Sequence, residues 1–180
     1  MSTNRLRHTL RYVVATSVAA LAVTMLPAAL AGAEEAGDTE ACTPGYWKNH
    51  TDNWLETPGV VIPTNRRLAN VFDSLSATFP ELANDTFIDA LSYGGGPGAQ
   101  GAAKLLLHHA VAAYLNAAFD DGLGHLQYPL RRHQATPFYP DFAGIIPEVN
   151  AALESQDRAT MLALKDFVDG IANDLACPLS

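Results

Sequence analysis

The stretch AAKLLLHHAVAAYLNAAF, Ala102 to Phe119, carries only four strongly polar residues, Lys104, His108, His109 and Asn116. Apolar side chains therefore face every direction around a 3.6-residue turn, and a helix of this kind has to be enclosed by other protein. Its length is close to that of a membrane span. However, a lysine and two adjacent histidines at its middle are costly in hydrocarbon, and Asp120, Asp121 and Gly122 come next in place of an apolar continuation. The stretch reads as the buried centre of a water-soluble fold. Lys104 and His108, four apart, share one face, and His109 and Asn116, seven apart, share another. The expected role of all four is to bond neighbouring helix ends or to reach the surface; the alternative is a catalytic or ligand role for either histidine.

Shorter amphipathic patterns surround this rod. Thr64 can cap a helix carrying Leu68, Val71, Phe72 and Leu75, and Pro80 interrupts the chain beyond it. Asp85 can cap the next helix, with Phe87, Ile88 and Leu91 on its apolar face. Pro147 fits the first turn of a helix through Val149, Ala152 and Leu153. Ser155 or Asp157 then caps a last helix with Met161, Leu164, Phe167, Val168, Ile171 and Leu175 on one face. Val60 to Pro63 is extended, but no segment alternates over a strand's length. The fold class is all-α: a single compact helical domain over 42–180, with about five helices around a central one, Ala99 to Phe119.

The N-terminus reads as an export signal. Arg5, Arg7, His8 and Arg11 precede an apolar run from Tyr12 to Leu30, and Ala31-Gly32-Ala33 is a small-x-small cleavage pattern. Residues 1–33 are a signal peptide on this reading, cleaved near Ala33, and 34–41 an acidic disordered leader. Uncut, the run would be a single N-terminal anchor; with the signal removed no membrane span is expected. Cleavage removes three arginines and no acid, so the formal charge goes from −8 to −11. Such an acidic chain is a poor partner for nucleic acid or anionic membrane surfaces. Cys42 and Cys177 are the two cysteines. In an exported chain they are most simply a disulfide joining the ends, against the alternatives of two free thiols or a metal site shared with histidines.

TPGYWKNH, Thr43 to His50, is the most distinctive string, and Trp54 lies just beyond it. In a short helix beginning after Gly45, Trp47, His50 and Trp54 share a face that can dock on the central helix, with Tyr46 beside them. This string resembles the hallmark of a family of secreted proteins, common in bacteria, in which a GYWKNH segment opens the mature domain. The similarity continues through Asp89 to Leu107 (DALSYGGGPGAQGAAKLLL), AVAAYLNAA, YPL, VNAAL, DRATMLAL and the CPL of Cys177 to Leu179. It implies an exported domain and carries no reaction, substrate or cofactor with it. RRHQATPFYPDFAGIIP, Arg131 to Pro147, is longer here than the resemblance leads one to expect.

Gly96 to Gly101 matches G-x-G-x-x-G, with Asp120 and Asp121 about twenty residues on. The fingerprint needs a preceding strand, whereas the segment before Gly94 reads as helix, so the expected role is a turn with close backbone approach, and no cofactor is expected. From Asp120 to Pro140 three prolines and no clean period imply a long loop, and it holds Gly124-His125, Tyr128 to His133 and Phe138-Tyr139. Arg131, Arg132 and His133 form its basic knot, either paired with acidic helix faces or part of a binding surface.

Two functions compete. One is a secreted non-catalytic module that binds an extracellular protein or a polymer of the cell envelope or matrix. Its candidate binding residues are Tyr46, Trp47, Lys48, Asn49, His50, Trp54, Arg131, Arg132 and His133; for Tyr46, Trp47 and Trp54 the core is the preferred reading, since tryptophan is highly buried on average. The other is a small secreted hydrolase or metal-dependent enzyme using His50 and His108, drawn from a pool that includes His109, His125 and His133. Adjacent His108 and His109 point about 100° apart on a helix, which disfavours their sharing one ion.

Overall fold

The computed structural model describes residues 40–57, 60–123, 145–173 and 175–179. In chain order the elements are α1 (Pro44–Asn49), a two-stranded antiparallel ladder of β1 (Leu55–Thr57) and β2 (Val60–Val61), and three single-turn helices, α2 (Leu75–Thr78), α3 (Pro80–Ala83) and α4 (Phe87–Ala90). The long α5 (Gly98–Leu123), α6 (Ile145–Ser155) and α7 (Arg158–Asn173) complete the order. The fold is all-α, as the hydrophobic pattern predicts, and a Cys42–Cys177 disulfide closes it. Among the described residues seven helices stand where about five were expected, because three are single turns.

Alanine and leucine are strong helix formers, and nothing between Gly101 and Gly122 breaks the ladder, so the central stretch forms one helix of 26 residues. It begins near the expected Ala99 and runs four residues past Phe119. Every residue from Ala110 to Phe119 is buried. The helix packs most extensively on α7, with β1, α6, α1 and α4 also against it. Small alanines bring those neighbours close, while Leu106, Leu107, Val111 and Leu115 fill the spaces between, each burial contributing about 2 kcal/mol. No helix among the described residues is long and apolar enough to cross a membrane.

The glycine pattern before α5 is a packing device. Gly98 has a φ of 69°, in the left-handed region, and a Cβ on Gly101 would sit 2.1 Å from the Gly96 carbonyl oxygen. Arg158 ties this turn to the start of α7, its Nη1 donating to the carbonyls of Gly96 (2.9 Å) and Gly98 (2.8 Å).

The structure corrects several local expectations. The helix expected from Thr64 to Leu75 is absent: the Leu68 and Phe87 amides instead donate to the carbonyls of Asp85 and Arg66, both at 2.9 Å, and Arg67 bridges Thr86 in antiparallel fashion. This tertiary pairing replaces the first helical turn, although Leu68, Phe72 and Leu75 are still buried. Thr86, not Asp85, caps α4, in a reciprocal box with Asp89. Asp85 accepts from the Tyr93 hydroxyl at 2.5 Å. Of the two caps considered for the last helix, Asp157 serves, accepting from the Thr160 amide at 2.7 Å. Phe167, expected on the apolar face of α7, is 41% exposed, whereas Met161 and Val168 are fully buried. Glu40 and Ala41, read as the end of the leader, belong to the fold: Glu40 bridges Ala176 in parallel fashion and Ala41 is fully buried. The leader before Glu40 and the Arg131-Arg132-His133 loop lie outside the described residues.

Candidate functional site

Thr43 has an extended backbone and its hydroxyl accepts from the Tyr46 amide at 3.2 Å, while Pro44 supplies the fixed φ of a first helical residue. The resulting short α1 projects Trp47 inward. There the indole Nε1 donates to Asn116 Oδ1 on α5 at 3.0 Å, and the ring tilts against Phe119 at 5.9 Å. The same Oδ1 accepts from the Cys42 amide at 2.8 Å, and Asn116 Nδ2 donates to the Cys42 carbonyl at 2.9 Å. One fully buried carboxamide thus satisfies three polar groups of the N-terminal segment.

The other aromatic residues of this segment are also committed internally. Trp54 is fully buried and donates from Nε1 to the Trp47 carbonyl at 2.9 Å. The Tyr46 hydroxyl donates to the Leu179 carbonyl at 3.1 Å and accepts from Asn53 Nδ2 at 2.6 Å; burial raises its pKa above the ordinary value. The disulfide and this hydroxyl together fasten the C-terminal residues onto α1. Closing a loop of 135 residues removes on the order of 5 kcal/mol of unfolded-chain entropy.

Three of the expected binding residues face solvent. Lys48, Asn49 and His50 form an exposed edge, while Tyr46, Trp47 and Trp54 are core. Asn49 Nδ2 is held by the Gly45 carbonyl at 2.9 Å, and the His50 ring stacks on Tyr46 at 4.1 Å with Nδ1 on the Tyr46 carbonyl. These contacts hold both side chains while both residues stay exposed.

A second polar group lies along the seam between α5 and α7. His108 bonds through Nδ1 to the Ala90 carbonyl at the end of α4, at 3.2 Å, as expected for a polar residue on this helix. Burial holds its pKa below the ordinary value, with the charge of Lys48 adding to that effect and Asp169 opposing it. His108 and His109 rings meet edge to face at 5.0 Å. His109 Nδ1 approaches Asp169 Oδ1 to 3.4 Å without hydrogen-bond geometry, and both atoms are shielded from solvent. Burial pushes the His109 imidazole down to about 4. On α7, Lys165 Nζ contacts Asp166 Oδ1 at 2.7 Å and Asp169 Oδ2 at 3.1 Å, and its pKa is raised by the hydrogen bond to Asp166 first.

Asp169 and Lys165 do not stand out in the sequence. Their i, i+4 spacing is a visible signal for a pair, but nothing in it marks His109 as their neighbour. His50 and His108 are engaged by different carbonyls, those of Tyr46 and Ala90. Among the described residues no group of three or more His, Cys, Asp or Glu side chains is placed to hold a metal ion. His125 and His133 lie outside those residues. Comparison of the chain with protein families, with curated proteins and with solved structures finds no match.

Proposed function

We propose that the protein is an exported, non-catalytic binding module that engages an extracellular protein or a polymer of the cell envelope or matrix through the edge formed by Lys48, Asn49 and His50. The observation that carries this reading is the division of labour within TPGYWKNH. Its buried aromatic residues lock α1 onto α5 and the C-terminus, and the three polar residues after them are presented, on a rigid support, to solvent. An edge with a cation beside an amide and an imidazole that are already held suits recognition, since the Asn49 and His50 side chains lose little freedom on binding. The disulfide supports export, because such bonds persist in oxidising compartments. The basic lead-in, the apolar run and the small-x-small pattern ending at Ala33 support it independently. The separate engagements of His50 and His108 favour this reading over a hydrolase that uses both.

The test is co-sedimentation of purified mature protein with insoluble peptidoglycan and with matrix polysaccharide. Saturable binding is expected, weakened at least about tenfold when Lys48, Asn49 and His50 are all replaced by alanine. Release of soluble fragments from either polymer would contradict the proposal, as would binding indifferent to the triple substitution.

A further inference from the structure

We propose that the α5–α7 seam is an acid-sensitive joint, in which a proton taken up by His109 loosens α7 from α5 while the disulfide and the α6–α7 turn keep both ends of that helix attached. The geometry rests on three features. His109 is buried in the most extensive helix contact among the described residues, and its Nδ1 faces Asp169 Oδ1 at 3.4 Å with neither atom in a hydrogen bond. Asp169 is not a free counter-ion, because its other oxygen already holds Lys165, which also holds Asp166. The turn before α7 is built on Gln156, whose φ of 49° reverses the chain, and the chain after α7 is fixed at Cys177.

The groups acting on His109 are Asp169, Lys165 and Asp166 from α7 and His108 from its own helix; Lys48 of α1 acts in turn on His108. Two of the groups facing His109, Lys165 and, once protonated, His108, oppose a second positive charge. The two carboxylates favour it, but they are shared with Lys165. Desolvation is the largest influence on His109, so the neutral ring is the form that fits the closed seam. A charged ring is better solvated if α7 lifts, and the tethers at both ends make that a local opening in place of global unfolding.

Hydrogen–deuterium exchange on the oxidised mature chain, corrected for the intrinsic pH dependence of exchange, tests this directly. Between about pH 7 and about pH 4 the protection of α7 amides is expected to fall at least about tenfold more than that of α1 amides. The same comparison on His109→Gln, which keeps a polar side chain and removes the titration, should show no such step. A step that persists in His109→Gln, or flat protection in the wild type, overturns the proposal. If that variant does not fold, an NMR titration of the wild type decides. His109 should titrate well below the ordinary histidine value, with α7 shifts tracking the same midpoint, and α7 shifts that track another group, or none, would overturn it.

Discussion

Asn116, in the last third of the central helix, pairs its carboxamide with both backbone polar groups of Cys42, accepting from the amide at 2.8 Å and donating to the carbonyl at 2.9 Å. The side chain mimics a neighbouring strand and positions the disulfide from within the core. It also accepts the Trp47 indole. Asn116→Leu keeps the branched shape of the side chain and removes all three bonds, leaving buried donors and an acceptor unpaired, so it should cost roughly 3 kcal/mol or more. Asn116→Asp should do no better, since a carboxylate cannot donate to the Cys42 carbonyl and would bury a charge. Guanidinium unfolding of the oxidised protein measures both; a loss no larger than that of an exposed substitution would contradict this role.

Glycine positions divide by what surrounds them. Gly101→Ala places a methyl group against the Gly96 carbonyl and should destabilise by about 2 kcal/mol or more. Gly94→Ala meets nothing within 4 Å and should change stability by no more than about 0.5 kcal/mol. Equal effects in thermal unfolding would show that the turn is not packed in this way.

Trp47 and Trp54 are both fully buried with their indole N–H groups bonded. Native fluorescence should therefore be blue-shifted and resistant to acrylamide. A red-shifted, readily quenched signal would place at least one ring on the surface and return it to the binding site.

Stability should fall on the acid side in two stages. His108 and His109 have folded pKa values below those of the unfolded chain, so the unfolded state takes up protons first. Stability is then full above about 6.5 and declines as the pH falls toward about 4. Asp89 and Asp157, lowered by their bonds to Thr86 and Thr160, contribute stability that is present above 3.8 and lost below it. Melting temperatures between about pH 8 and about pH 3 should trace this decline; a curve flat to pH 4 would contradict it.

The central helix is legible in the sequence because eighteen residues with four polar interruptions leave no face for solvent, and the disulfide because the chain has two cysteines, near opposite ends of the folded part. A short helix is legible in TPGYWKNH, but it begins at Pro44 and not after Gly45, because the Thr43 hydroxyl caps it and proline fits its first turn. Thr64 to Leu75 misleads because its apolar spacing is helical, yet the backbone of this segment pairs with Asp85 to Phe87, a contact no local pattern encodes. The division of TPGYWKNH into a buried half and an exposed half is equally hidden, since it depends on where Asn116 and Leu179 arrive in space. Asp169 reaches His109 by the same route, from sixty positions further along the chain.

The central claim is that an exported chain is clamped end to end by Cys42 and Cys177 around α5. Intact mass and non-reducing peptide mapping of the protein recovered from the culture medium test it most directly. The account predicts a chain beginning near Glu34, with the Cys42 and Cys177 peptides linked and resistant to alkylation. A chain that keeps its first 33 residues, or two thiols that alkylate without reduction, would contradict it.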